Sequence, residues 1–368
     1  MHIPDGYLSP QTCLVGFAIA VPTWVVASRR VTRVVKTRSV PMLAVLSAMS
    51  FLVMMFNVPI PDGTTAHAVG GTIIAICLGP PAAVIAVSVA LLFQALLFGD
   101  GGVLSYGVNV TNMAIILPIV GFAVYRLVAG RSPLTSGRRV LAAAVGGYVG
   151  INAAALAAGF ELGIQPDLFH SANGTPLYSP YHLSQTIPAM LLAHLTAAGA
   201  AEAILTAGVL AYLQRADVSR LVPNHPGIPV HAGDQPVRPT RITPGQVALG
   251  FIAVMVVLTP IGLLAPGGAF GEDAPADLNL HKLGLSAIPT GLARYNGFWS
   301  HTLLGGYGFH DGDHPNIGYV VSAIVGIAVI ALAIFVIGKI IDFALVRGTG
   351  APPAPTVTEP RSDNGVHA

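Results

Sequence analysis

The chain reads as a succession of apolar stretches separated by short polar, proline-rich or glycine-rich breaks. The apolar stretches run over 11–28, 40–57, 69–79, 82–98, 105–128, 139–163, 184–213, 243–265 and 317–346. An α-helix needs roughly 20 apolar residues to cross a hydrocarbon core about 30 Å thick, and several of these stretches are that long. The pattern predicts nine helical spans, with N- and C-termini on opposite sides of a bilayer. The third span is short, and Gly79-Pro80-Pro81 cuts it from the fourth, so a half-span or tilted helix is expected there. The expected fold class is an all-α polytopic membrane protein, a seven-helix bundle plus two C-terminal transmembrane helices.

Composition reinforces the pattern. Of 368 residues, 53% are hydrophobic and 9% charged, whereas soluble domains carry roughly 25% charged residues. The first residues lack a basic region and include Asp5, so they do not read as a signal peptide, and the mature chain is expected to begin at Met1. Cys13 and Cys77 fall inside apolar runs and read as small core residues.

Charge placement sets a direction. Sixteen of the 18 basic residues cluster between spans 1 and 2, between spans 5 and 6, after span 7 and after span 9. If the spans alternate, all sixteen face one side, which the positive-inside rule makes cytoplasmic. The expected location is the bacterial plasma membrane, multi-pass, with Met1 outside and the C-terminus in the cytoplasm. The outer loops then hold eight of the 12 histidines, including His2 and His67. The expected organisation is a bundle over 1–215, a proline-rich cytoplasmic linker over 216–242, a two-span module over 243–346 with an outer loop at 266–316, and a disordered tail over 347–368.

Candidate chemistry begins at Met1-His2. A free Met1 amine, the deprotonated amide nitrogen of His2 and the His2 imidazole can close two fused rings around one cation. Such tetragonal nitrogen sets favour Ni(II) or Cu(II) over Zn(II), and a fourth donor would complete the square. That donor is sought in Asn57 to Gly71, whose prolines and glycines forbid a continuous helix. Unwound backbone at membrane depth is tolerated only against protein or a cavity, so the loop should fold back toward the bundle and bring His67 to the N-terminal segment. A polar histidine at a membrane interface is the plainer alternative.

Other polar groups have weaker claims. Phe98-Gly99-Asp100-Gly101-Gly102 reads as a tight turn. The amides Gln94, Asn109, Asn112 and Asn152 could orient metal ligands or bond helix to helix. Glu202 and His194 share one face of span 7, with internal pairing as the default and an ion or proton role as the alternative. His310, Asp311, Asp313 and His314 form either a loose cation-collecting cluster or a solvated turn. The absence of G-x-x-x-x-G-K-[ST] leaves no phosphate-cradling loop, and the absence of H-E-x-x-H and G-x-S-x-G leaves no visible protease or lipase machinery. Low charge argues against nucleic acid as a partner.

Met1-His2-Ile3-Pro4-Asp5-Gly6-Tyr7-Leu8, the loop Pro59 to His67 and Gln94 to Gly102 together resemble the nickel/cobalt substrate-binding components of energy-coupling-factor transporters, the NikM/CbiM family. The likeness covers roughly 1–215. It implies that the metal is held by the Met1 amine, the His2 amide and imidazole and the His67 imidazole, and that the metal is cargo, with no resident cofactor. It also implies separate partners, a transmembrane coupling (T) protein and cytoplasmic ATPase subunits, so this chain is expected not to be an enzyme. The loop before His67 is similar to the nickel branch, which makes Ni(II) the expected cargo and Co(II) for cobalamin synthesis the alternative. Residues 243–346 resemble a fused small accessory subunit, although Gly267 to Glu272 matches the Pro-Asp-Gly-Leu-Glu signature only in part. An ion-gradient permease working alone is a rival within transport. A membrane metalloenzyme or sensor is the rival from another class, disfavoured because a closed square-planar site leaves no position open for water.

Overall fold

The computed structural model describes residues 1–34, 40–60, 64–231, 244–264, 270–310 and 312–349. The order is α1 (Pro10–Val34), α2 (Val40–Met54), a hairpin of β1 (Val58–Ile60) and β2 (Thr64–Ala66), α3 (Gly71–Leu78), α4 (Pro80–Phe98), α5 (Tyr106–Ala129), α6 (Gly137–Gly163), α7 (Leu183–Ala216), α8 (Gly245–Leu264) and α9 (Pro315–Thr349). The protein is an all-α polytopic membrane protein, and each of the nine expected spans has a helix.

The third span is short, as the sequence predicts, and the second is short as well. Among the described residues, seven helices are long and apolar enough to cross a membrane, whereas α2 has 15 residues and α3 only eight. Gly79, with φ +91°, and the two prolines after it end α3, as the sequence predicts. The hairpin was not expected. Its register pairs Val58 with Ala66 and Ile60 with Thr64, so the stretch that cannot be helical satisfies its own backbone in a short ladder. Pro61, Asp62 and Gly63 of that stretch lie outside the described residues.

The bundle is closed by small residues. On α6, Gly146, Gly147, Gly150, Ala154, Ala155, Ala158 and Gly159 are all buried, and they bring its backbone against α5 and α7. Close approach of this kind replaces hydrophobic driving force where the solvent is itself apolar. The first residues of the proline-rich segment are docked rather than free. Asn224 Nδ2 donates to the carbonyls of Ala75 and Ile76 at 2.9 Å, finishing α3, and His225 Nε2 lies 3.1 Å from the Tyr125 hydroxyl. The rest of the expected linker, 232–242, and the tail from 350 onward lie outside the described residues, while α9 continues to Thr349.

α9 packs along α2, and the loop before α9 meets the N-terminal segment. Gly326 of α9 meets Phe51 of α2, where a Cβ would stand 2.2 Å from the ring. The loop before α9 reaches the first residues of the chain through Glu272 and Asp273, and the turn after α4 through Tyr307.

Candidate metal centre

Residues 1–9 do not lie on the surface. Met1, His2, Ile3, Tyr7, Leu8 and Ser9 are all buried, and the segment is held by hydrogen bonds along its length. Asn109 clamps Ile3, its Oδ1 accepting the Ile3 amide at 2.9 Å and its Nδ2 donating to the Ile3 carbonyl at 3.1 Å. The same carbonyl accepts from the Gly102 amide at 3.0 Å and from the Ser105 hydroxyl. Asp5 accepts the amides of Val103, Leu104 and Ser105 at 3.1, 2.8 and 3.2 Å. Ser9 is caught by Gln165 Oε1 at 2.9 Å. A segment with no regular structure of its own is thus satisfied by donors and acceptors from the turn after α4, the start of α5 and the end of α6.

The hairpin and α3 deliver His67. Glu202, fully buried on α7, accepts the amides of Val69 and Gly70 with one carboxylate oxygen, both at 2.8 Å, at the amino end of α3. A carboxylate there meets free N–H groups and the positive end of the helix dipole. Ser50 donates to the Val69 carbonyl at 2.7 Å. The expected internal pairing of Glu202 is found, with the His67 loop as its partner. His194, whose Nδ1 faces the Met190 carbonyl at 2.7 Å, begins a π-helical turn against the hairpin.

The two imidazoles meet. His2 and His67 are stacked, ring centroids 4.9 Å apart and planes 29° from parallel, and both are buried. His67 Nδ1 is 3.0 Å from the Ala68 carbonyl and His2 Nδ1 is 3.2 Å from Asp100 Oδ1. The Nε2 atom of His67 has no hydrogen-bond partner. Burial lowers the His2 imidazole to about 4, helped by the nearby terminal amine, and burial holds His67 well below its ordinary value, helped by the amine and by His2. Both rings are therefore neutral at pH 7, the form that binds metals. The structure brings Met1, His2 and His67 together, from two segments about 65 residues apart.

Several residues complete the surroundings. Glu272 Oε1 accepts from both the Met1 amine and the His2 amide at 2.9 Å. Asp100 holds His2, and its other oxygen accepts from the Tyr307 hydroxyl at 2.5 Å, while Gln94 Nε2 reaches both. Burial raises the Asp100 carboxyl above its usual range. The turn carrying Asp100 thus does more than join two helices. Of the four candidate amides, Gln94 and Asn109 serve the site, Asn112 bonds Glu161 at 2.6 Å, and Asn152 bonds its own helix at Tyr148. Tyr307 escapes sequence reasoning because it lies more than 200 residues from its partners, and Glu272, legible only as the end of a partial accessory signature, is as far from the amine and amide it meets. His310 and His314 belong to the loop before α9, and Asp311 lies outside the described residues. Among the described residues, no three His, Cys, Asp or Glu side chains form a metal-holding group. The nitrogens gathered here include main-chain ones, the Met1 amine and the His2 amide.

A family model described as "cobalt uptake substrate-specific transmembrane region" matches residues 2–219. The chain is 46% identical over 347 residues to the fused nickel transport protein NikMN of Rhodobacter capsulatus, covering 91% of this chain and 96% of that one. It is 35% identical over 129 residues to the cobalt transport protein CbiM of Lachnoclostridium phytofermentans, covering 34% and 52%. A crystal structure of a truncated transition metal transporter, 57% identical, superimposes with a TM-score of 0.55 over 58% of this chain and 98% of its own.

Proposed function

Since this chain belongs to the cobalt uptake substrate-specific transmembrane family, we propose that it is the substrate-capturing membrane subunit of an ATP-driven energy-coupling-factor importer and that its cargo is Ni(II). The cation binds at the outer face to the Met1 amine, the His2 amide and imidazole nitrogens and His67, and is released toward the cytoplasm. ATP is hydrolysed on separate subunits joined through a transmembrane coupling protein, because this chain has no phosphate-cradling loop. Residues 243–346 act as a built-in accessory module, a reading supported by the fused relative, which is matched over nearly its whole length.

The observation that carries this reading is the buried convergence of the amine with two neutral, stacked imidazoles, with the Nε2 atom of His67 left without a partner. Buried polar atoms without partners are uncommon in native proteins and call for an explanation. Here the explanation is a cation. Four nitrogens, one a deprotonated amide, form a strong-field planar set suited to Ni(II). The Asp100 contact at His2 Nδ1 is exchanged for the metal when the six-membered chelate ring closes.

The test is metal content and absorption of the purified protein after exposure to equal Ni(II) and Co(II). A yellow, diamagnetic nickel form that is lost in His2→Ala and His67→Ala supports the reading, and wild-type binding by either variant overturns the site. Co(II) is the second reading, favoured by the description of the family model, and preferential loading of cobalt would establish it. Uptake by this chain in cells lacking any coupling ATPase would show a permease working alone.

A further inference from the structure

Glu272 reaches the candidate site from the outer loop before α9, 271 residues from Met1 in sequence. One carboxylate oxygen accepts from both the terminal amine and the His2 amide, each at 2.9 Å. An amide N–H lies in its peptide plane, and once deprotonated the nitrogen directs its lone pair along the same line. Oε1 therefore stands on the bearing that a bound cation would take from His2. A metal sits about 2 Å from a nitrogen ligand, so an oxygen 2.9 Å along the same line would lie about 1 Å from the metal. The two cannot be present together.

We propose that Glu272 is the cation's placeholder. In the metal-free protein its carboxylate draws the Met1 amine and the His2 amide toward one point. It withdraws when the cation loads and returns as the cation leaves. This rests on the chelate assigned to Met1, His2 and His67 above. The neighbouring contacts give the exchange a wider reach. Tyr7 donates to the Asp273 carbonyl at 2.8 Å, and the rings of Phe270 and Tyr181 lie 4.7 Å apart. Withdrawal of Glu272 pulls on a loop tied to the N-terminal segment on one side and to the approach to α7 on the other. The outer loop thereby distinguishes a loaded site from an empty one.

The test is titration of the full-length protein with Ni(II) at fixed pH, comparing wild type with Glu272→Ala and Glu272→Gln. A carboxylate that competes with the metal is lost in the Ala variant, so nickel should bind about tenfold more tightly, with the same ligand-field absorption. Gln keeps the side chain's size without its charge and should move affinity the same way by less. Weaker binding with an altered spectrum would make Glu272 a ligand, and unchanged affinity in both variants would make it a structural contact. Either result overturns the proposal. Amide hydrogen exchange over 270–280 should rise when nickel is added to the wild type, and constant exchange there also counts against it. The two readings fail differently. If the chelate is wrong, His67→Ala binds nickel normally. If only the placeholder is wrong, His67→Ala stays defective while Glu272→Ala matches the wild type.

Discussion

At the scale of single residues, His2 shows how position turns an ordinary side chain into a specialised one. Its ring is 2% exposed, stacks on His67, faces Asp100, and lies near the terminal amine and Glu272. Burial holds it neutral down to about pH 4, whereas in the unfolded chain it takes up a proton near 6.5. Between those values the unfolded state binds more protons, so stability is present above pH 6.5 and is lost as pH falls through that window. The expected contribution is about 3 kcal/mol at most, the free-energy equivalent of moving the protonation midpoint from 6.5 to about 4. Asp5 and Asp100, both raised by burial, act in the opposite sense, so the informative quantity is a difference. Thermal melts of metal-free wild type and His2→Gln between pH 7 and 4.5 should converge as pH falls, and parallel curves would refute this account. The candidacy of Met1, His2 and His67 was legible because chelation by an amine and the following histidine is a property of two adjacent residues. Glu272 was not, because its role exists only where two distant segments meet.

At the scale of elements, the site is assembled from pieces that are not ordinary helices. The N-terminal segment has no secondary structure, the His67 arm is a three-residue hairpin ladder leading into an eight-residue helix, and α4, α5 and α7 each contain a π-helical turn. These turns include or adjoin Gln94, Asn109 and His194, consistent with the tendency of π-bulges to occur at functional positions. The fit is tightest where the segment crosses the turn after α4. A Cβ on Gly102 would stand 2.0 Å from Asp5 Oδ1 and 2.4 Å from the Asp5 amide nitrogen. Gly102→Ala should displace the N-terminal segment at an overpacking cost of about 1–3 kcal/mol, weakening nickel binding by roughly ten- to a hundredfold while His2 and His67 remain. Equilibrium dialysis against nickel checks this, and wild-type affinity would show that the docked segment is not needed. Helix periodicity announces none of these features, which is why the sequence predicted a loop folding inward without predicting the hairpin.

At the scale of the whole molecule, the C-terminal spans are part of the same body as the bundle. α9 lies against α2, Tyr307 stacks on Phe98 with centroids 4.9 Å apart, and the loop before α9 meets the candidate site through Glu272. Gly326→Leu places a side chain where Phe51 now stands and should drive α9 from α2. The expected result is a loss of about 1–3 kcal/mol in stability and a severalfold drop in metal uptake by cells, with the nickel absorption spectrum of the purified protein unchanged. A variant with normal melting and normal uptake would show that this contact is dispensable. The fused relative, matched over 96% of its length, has the same two-part organisation.

The sequence by itself determined that the chain is polytopic and α-helical, where its spans fall, and which residues could chelate a cation. These follow from local quantities: the length of apolar runs, the breaks made by proline and glycine, and the adjacency of an amine and an imidazole. Tertiary structure alone decided that Met1-His2 is buried against His67, that Asn109 and Asp5 hold it there, and that Glu272 accepts from both the Met1 amine and the His2 amide. Burial and hydrogen-bond pairing between distant segments arise only when the whole chain packs, so no window of sequence contains them.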